Sequence, residues 1–137
     1  MVMDIAKNKW TMLGQETLDP YPATWSPDSH FVAAIDESGD NINIIRMKDK
    51  KVMASFATQA QVYSMAWSPN GKYLGSGSAD GSVKIWDAKN GGAALVTLVP
   101  NDASQEDVQG IAWSPDNAAI AASFGDGRVW IWQFAQG

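Results

Sequence analysis

Three copies of Trp-Ser-Pro followed by Asp or Asn, at Trp25–Asp28, Trp67–Asn70 and Trp113–Asp116, constrain this chain more than any other feature. The tryptophans stand 42 and 46 residues apart, so the chain is a tandem repeat whose units pack on their neighbours. Flanking residues keep the same register. Seven places on stand Val32, Leu74 and Ile120, and nine places on the small residues Ala34, Ser76 and Ala122. Acidic turns follow at 36–40, 79–81 and 125–127. Each leads into an alternating apolar run, at Ile42–Ile45, Val83–Trp86 and Val129–Trp132.

A period near 40 residues, with short period-2 segments joined by Gly, Asn, Asp and Pro turns, is the pattern of a β-propeller blade of about four strands. The expected class is all-β. Blade one is expected over 21–57, with strands ending at Trp25, then His30–Ile35, Ile42–Met47 and Val52–Phe56. Blade two is expected over 58–100, with strands Val62–Trp67, Lys72–Ser78, Ser82–Asp87 and Ala94–Val99. Blade three, 101–137, lacks a fourth strand, and an N-terminal strand at 8–14 around Trp10 and Met12 is expected to supply it.

Residues 78–87, Ser-Ala-Asp-Gly-Ser-Val-Lys-Ile-Trp-Asp, resemble the end of a WD repeat, with the turn residue Asp80 and the closing pair Trp86-Asp87. The resemblance extends over nearly the whole chain in degenerate form. Blade three keeps Asp126 but closes with Trp132-Gln133, and blade one closes with Ile45-Arg46. The resemblance implies a WD-type propeller, whose chains commonly close by adding the first strand to the last blade. It also implies a hydrogen-bonded set of Asp, His, Ser or Thr, and Trp within each blade. The Gly-His pair that would supply the histidine is absent, because its positions hold Ala57-Thr58 and Ala103-Ser104. A hydroxyl of Thr58 or Ser104 is expected to replace it in part.

Propellers close with about four to eight blades, so three make an open arc with an apolar face at each end. Two chains closing one six-bladed ring, each lending its N-terminal strand to the partner's third blade, resolve this as a twofold homodimer. Trp10, Met12, Trp130 and Trp132 are the expected intersubunit junction. Trp25, Trp67, Trp113, Trp86 and Trp132 are expected as core between blades. The alternative is a piece of a larger propeller.

Composition excludes other classes. The 137 residues have a net charge of −5, which argues against nucleic acid or an anionic membrane as partner. With no cysteine there is neither a disulfide framework nor a thiolate metal site. No signal peptide or membrane span is read, and a cytoplasmic location is expected. His30, the single histidine, reads as a solvated turn residue, and Asp36-Glu37 lacks the spacing of a calcium loop. No cofactor, metal or catalytic set is expected.

Sorting turns by blade topology puts ten of the fifteen acids on one face, including Asp36, Glu37, Asp40, Asp80 and Asp126, while no lysine falls there. Lys48, Lys50, Lys51, Lys72 and Lys89 fall on the other. The acidic face is expected to receive a basic peptide or protein. The residues expected to touch it lead into each first strand: Asp19 and Tyr21; Gln59, Gln61 and Tyr63; Gln105, Glu106, Asp107 and Gln109. The function read is a non-enzymatic interaction scaffold. Alternatives are a lectin-like or small-ligand propeller, or a purely structural unit.

Overall fold

A computed structural model of the chain describes residues 2–4, 9–11, 22–102 and 106–134. All regular structure among them is strand. Blade one comprises β3 (Ala23–Trp25), β4 (Phe31–Ile35), β5 (Asn41–Arg46) and β6 (Lys51–Ala57), joined in sequence order as an antiparallel sheet. Blade two repeats the plan with β7 (Val62–Trp67), β8 (Tyr73–Ser78), β9 (Val83–Asp87) and β10 (Val96–Leu98). Blade three has β11 (Val108–Trp113), β12 (Ala119–Phe124) and β13 (Val129–Gln133).

The N-terminal strand, expected to complete the third blade of a partner chain, pairs here within its own chain. Residues 9–11 of the 8–14 segment form β2 (Lys9–Thr11), which pairs antiparallel with β1 (Val2–Asp4) in a separate two-stranded sheet. No described strand lies beyond β13 in blade three. Residues 8 and 12–14, Met12 among them, are outside the described residues.

The recurrent Trp-Ser-Pro-Asp motif builds one turn three times. In blade one the Ser26 hydroxyl donates to Asp28 Oδ1 at 2.5 Å and accepts the Phe31 amide at 3.0 Å, while Asp28 Oδ1 also accepts the His30 amide at 3.0 Å. Ser68 with Asn70, and Ser114 with Asp116, make the same bonds. These side chains satisfy amides that the tight turn withdraws from the ladder, which is why Ser and Asx recur at this spacing. The next residue takes a positive φ in each copy: 65° at Ser29, 73° at Gly71 and 62° at Asn117.

Strand alternation then sorts side chains between the two blade faces. Ile42, Ile44, Ala33 and Phe56 of blade one meet Val62, Met65, Leu74 and Trp86 of blade two in one buried cluster. Val83 and Ile85, on the other face of blade two, meet Val108, Ile120, Ala122 and Phe124 of blade three in a second. The first-strand tryptophans tie neighbouring blades together. Trp67 Nε1 donates to the Thr24 carbonyl at 3.1 Å and Trp113 Nε1 to the Ala66 carbonyl at 2.9 Å.

Two expectations are corrected here. Trp25 is not core: it is 51% exposed, because it faces the end of the arc where no preceding blade stands among the described residues. Thr58 does not replace the missing histidine. Its hydroxyl donates to the Asp40 carbonyl at 3.1 Å, while Trp86 Nε1 bonds Ser76 Oγ directly at 2.9 Å. Blades one and three hold Ala34 and Ala122 at the Ser76 position, so this bond is confined to blade two. Ser104 is outside the described residues.

Blade three approaches β8 closely at two of its glycines, most tightly at Gly77. A Cβ on Gly75 would stand 2.8 Å from Ile120 Cδ1, and one on Gly77 would overlap the β-branched Val108. Gly77→Ala is therefore expected to destabilise the chain by about 1–3 kcal/mol through overpacking. A urea midpoint equal to that of the unmodified chain would show the junction to be looser than this.

Candidate functional site

Antiparallel strand order places the β4–β5, β8–β9 and β12–β13 turns at one end of the blades, together with the segments entering β7 and β11. The same order gathers the Trp-Ser-Pro turns and the β5–β6 and β9–β10 turns at the opposite end. The acids at the first end divide into two kinds.

Some are committed to their own turns. Asp36 accepts from Ser38 Oγ at 2.7 Å and from the Asn41 side chain at 2.8 Å. Burial pushes its carboxyl up, but the hydrogen bonds from Asn41 and Ser38 outweigh it and leave the group below its ordinary value. Asp80 accepts the Ser82 amide at 3.0 Å and hydroxyl at 2.6 Å. Asp126 binds the Arg128 amide at 3.1 Å and guanidinium at 2.6 Å, and the same guanidinium pairs with Asp102. Others face water: among the described residues the carboxylates of Glu37, Asp40 and Glu106 accept no hydrogen bond and form no ion pair, and all three residues are exposed.

Arg128 is the member that the sequence reading missed. It brings positive charge onto an end expected to carry no lysine, as does the buried Lys84, whose ammonium donates to the Thr58 carbonyl in the segment entering β7 at 3.1 Å, and it compensates Asp126 and Asp102 locally. Its signal was the Asp-Gly-Arg spacing, which lets a turn carboxylate hold the side chain two residues on.

The expected contact residues occupy corresponding places on adjacent blades. Gln59, Gln61 and Tyr63 are exposed at the entry to β7, with Gln59 at a φ of 62°. Glu106 and Gln109 are exposed at the entry to β11, and Asp107 is half-buried, accepting from Gln109 Nε2 at 2.7 Å. The Gln61 carbonyl accepts the Ala79 amide at 2.8 Å and the Asp107 carbonyl the Gly125 amide at 3.0 Å, so each entry segment is pinned to its blade's second turn. Asp19, Tyr21 and Gln105 are outside the described residues.

Trp130 and Trp132 stack on each other at 6.3 Å and pack against the cluster shared with blade two. The side chains that β13 presents outward are Val129 and Ile131, 62% and 64% exposed. Their pairing equivalents Val83 and Ile85 are 0% and 5% exposed under blade three, and Ile42 and Ile44 are 0% and 1% exposed under blade two. Trp10 lies in β2, on the separate N-terminal sheet.

No cluster of three or more potential metal ligands exists among the described residues, and they contain no helix long and apolar enough to cross a membrane. The chain matches the WD domain, G-beta repeat family at residues 50–87 and 95–133, more than half its length, and belongs to that family. It is also 55% identical over 40 residues to Protein tipD of Dictyostelium discoideum. That stretch covers 28% of this chain and only 6% of that protein, so the chain spans a small part of its relative. WD40 repeats generally mediate protein–protein interaction and are typically non-enzymatic.

The turn carboxylates give the fold a defined acid limit. Hydrogen bonds from Ser26 to Asp28 and from Ser114 to Asp116, with those on Asp36, hold all three below the ordinary value of an aspartate carboxyl. Groups depressed in the folded state contribute stability above their unfolded pKa, and it is lost as pH falls through the folded value. The urea midpoint is expected to stay level from about pH 7 to 5 and to fall from about pH 4 downward. A midpoint independent of acid to about pH 2.5 would contradict this role for the turns.

Proposed function

We propose that the chain is a protein-interaction scaffold in which two copies close a six-bladed ring and the acidic end receives a basic peptide or protein. The observation that carries the partner's chemistry is the division among the acids. Glu37, Asp40 and Glu106 are exposed and, among the described residues, uncommitted in the β4–β5 turn and the segment entering β11, so a cationic partner meets carboxylates that need not first break internal bonds. Tyr63 beside them, 40% exposed, offers an aromatic contact at the same end. Binding by this preformed surface involves no chemical step. A cytoplasmic location belongs to the same proposal.

Ring closure is supported by the unmatched ends of the arc. Blade three offers the Val129–Ile131 ridge and, in Ala112, the carbonyl equivalent to those that Trp67 and Trp113 bond. Blade one offers the exposed indole of Trp25, the equivalent donor. A second copy brings these together at two identical junctions.

Light scattering over a concentration series is expected to give twice the 14.8 kDa of the chain, and Ile131→Lys to return the monomer mass. An unmodified chain that stays at 14.8 kDa throughout would overturn the ring. For the acidic end, fluorescence anisotropy with a labelled lysine-rich peptide is expected to show affinity falling with salt. Paired Glu37→Lys and Glu106→Lys substitutions are expected to weaken it about tenfold and flatten the salt slope. Unchanged affinity and slope would remove this face from consideration.

A further inference from the structure

The end of the blades opposite the acidic turns carries a cleft of about 430 Å³ between blades one and two. Phe31, Ile44 and Met53 of blade one and Trp67 and Ala88 of blade two form its apolar walls, and Asp28 and Lys89 stand among its polar lining. We propose that this cleft is a docking site for an aromatic side chain of a partner peptide that carries acidic residues beside it.

The chain itself shows how such a cleft is filled. Ala88 and Phe134 are equivalent, since each follows the third strand of its blade and donates its amide to the residue after the Trp-Ser-Pro turn, Lys72 at 3.2 Å and Ala118 at 2.7 Å. At the junction of blades two and three, Phe134 packs on Trp113 with ring centroids 5.7 Å apart, and Tyr73 stacks on the same indole at 6.4 Å. Asn117 bridges that junction as well, its Oδ1 accepting the Asn70 amide at 2.8 Å. At the junction of blades one and two, Trp67 and Phe31 repeat the indole and the ring beneath it. Ala88 stands in place of Phe134, however, and Gly71 in place of Asn117. Two small residues thus open at one junction what an aromatic ring and an amide occupy at the other. The resulting volume lies within the roughly 300–1,000 Å³ usual for ligand pockets.

Charge at the rim selects the residues flanking that ring. Asp28 is held within its own turn by the Ser26 hydroxyl and the His30 amide, with the His30 imidazole at 3.4 Å. Among the described residues the Lys89 ammonium forms no ion pair, its charge acting at longer range on Asp87, and Lys72, also exposed, adjoins Gly71. A carboxylate beside the docked ring meets these cations. Met53, 45% exposed on the outer strand, supplies an unbranched wall that adapts to the ring it receives.

The test uses two labelled peptides, one with a single phenylalanine between glutamates and the other with alanine in its place, followed by fluorescence anisotropy. The phenylalanine peptide is expected to bind about tenfold or more tightly than its alanine counterpart. Ala88→Phe and Gly71→Asn, which copy the filled junction, are each expected to weaken it by a similar factor without lowering the urea midpoint, and Lys89→Glu to weaken it several-fold. Equal affinity for the two peptides overturns the proposal. So does undiminished binding by a folded Ala88→Phe chain or, should that variant fail to fold, by Gly71→Asn.

Discussion

Blade-on-blade packing is the constraint from which the rest of this structure follows. A four-stranded antiparallel sheet of this size has two apolar faces and no means of covering both, so each blade is stable only against a neighbour. The ridge of the third strand, Ile42–Ile44 or Val83–Ile85, presses into the next blade, whose indole reaches back to a first-strand carbonyl. One contact is apolar and tolerant of sliding. The other is directional and sets the rotation of one sheet against the next. The glycines of β8 belong to the same requirement, because blade three takes the space that their side chains would fill.

The period and the turn chemistry made most of the fold legible in the sequence. Trp-Ser-Pro followed by Asp or Asn marks the β3–β4, β7–β8 and β11–β12 turns because Ser and Asx satisfy specific amides there, and the strands expected in blades one and two form within a residue or two of their anticipated ends. Contacts whose partner is distant in the chain were harder to read. Trp25 carries the same motif as Trp67 and Trp113, yet burial of an indole depends on the presence of a preceding blade, which no local residue reports. The alternation of Val129 to Trp132 likewise shows that two faces exist without stating which one meets blade two. The bulkier tryptophans turn to the internal cluster and the aliphatic pair faces outward.

The candidate site was legible in outline for a related reason. Net acidity of one end follows from strand order and composition, both visible in the sequence. Which acids remain available depends on hydrogen bonds formed only in the folded turns. Asp36, Asp80 and Asp126 are occupied by Asn41, Ser82 and Arg128, so their charges shape turns before they face a partner. Lys84 illustrates the converse. A lysine in an apolar run looks misplaced, but its ammonium donates to the Thr58 carbonyl at 3.1 Å and lies 6.0 Å from the Trp86 ring, so it joins the linker to blade two.

Repetition itself separates structural residues from residues free to carry a function. Where all three copies agree, as in the Ser-Asx turn, one physical requirement is being met three times. Where copies at equivalent junctions differ, the same backbone tolerates both choices, and the difference is not imposed by the fold. Phe134 and Asn117 against Ala88 and Gly71 form such a pair: the register is shared and the backbone at Gly71, with φ of 73°, nearly matches that at Asn117, with 62°. Asn tolerates this left-handed conformation, so glycine is not required there. A filled junction would bury more apolar surface, and folding stability alone favours filling it. The open cleft between blades one and two is therefore a feature that the packing requirement does not impose, and it leaves the room that the docked side chain proposed above would take.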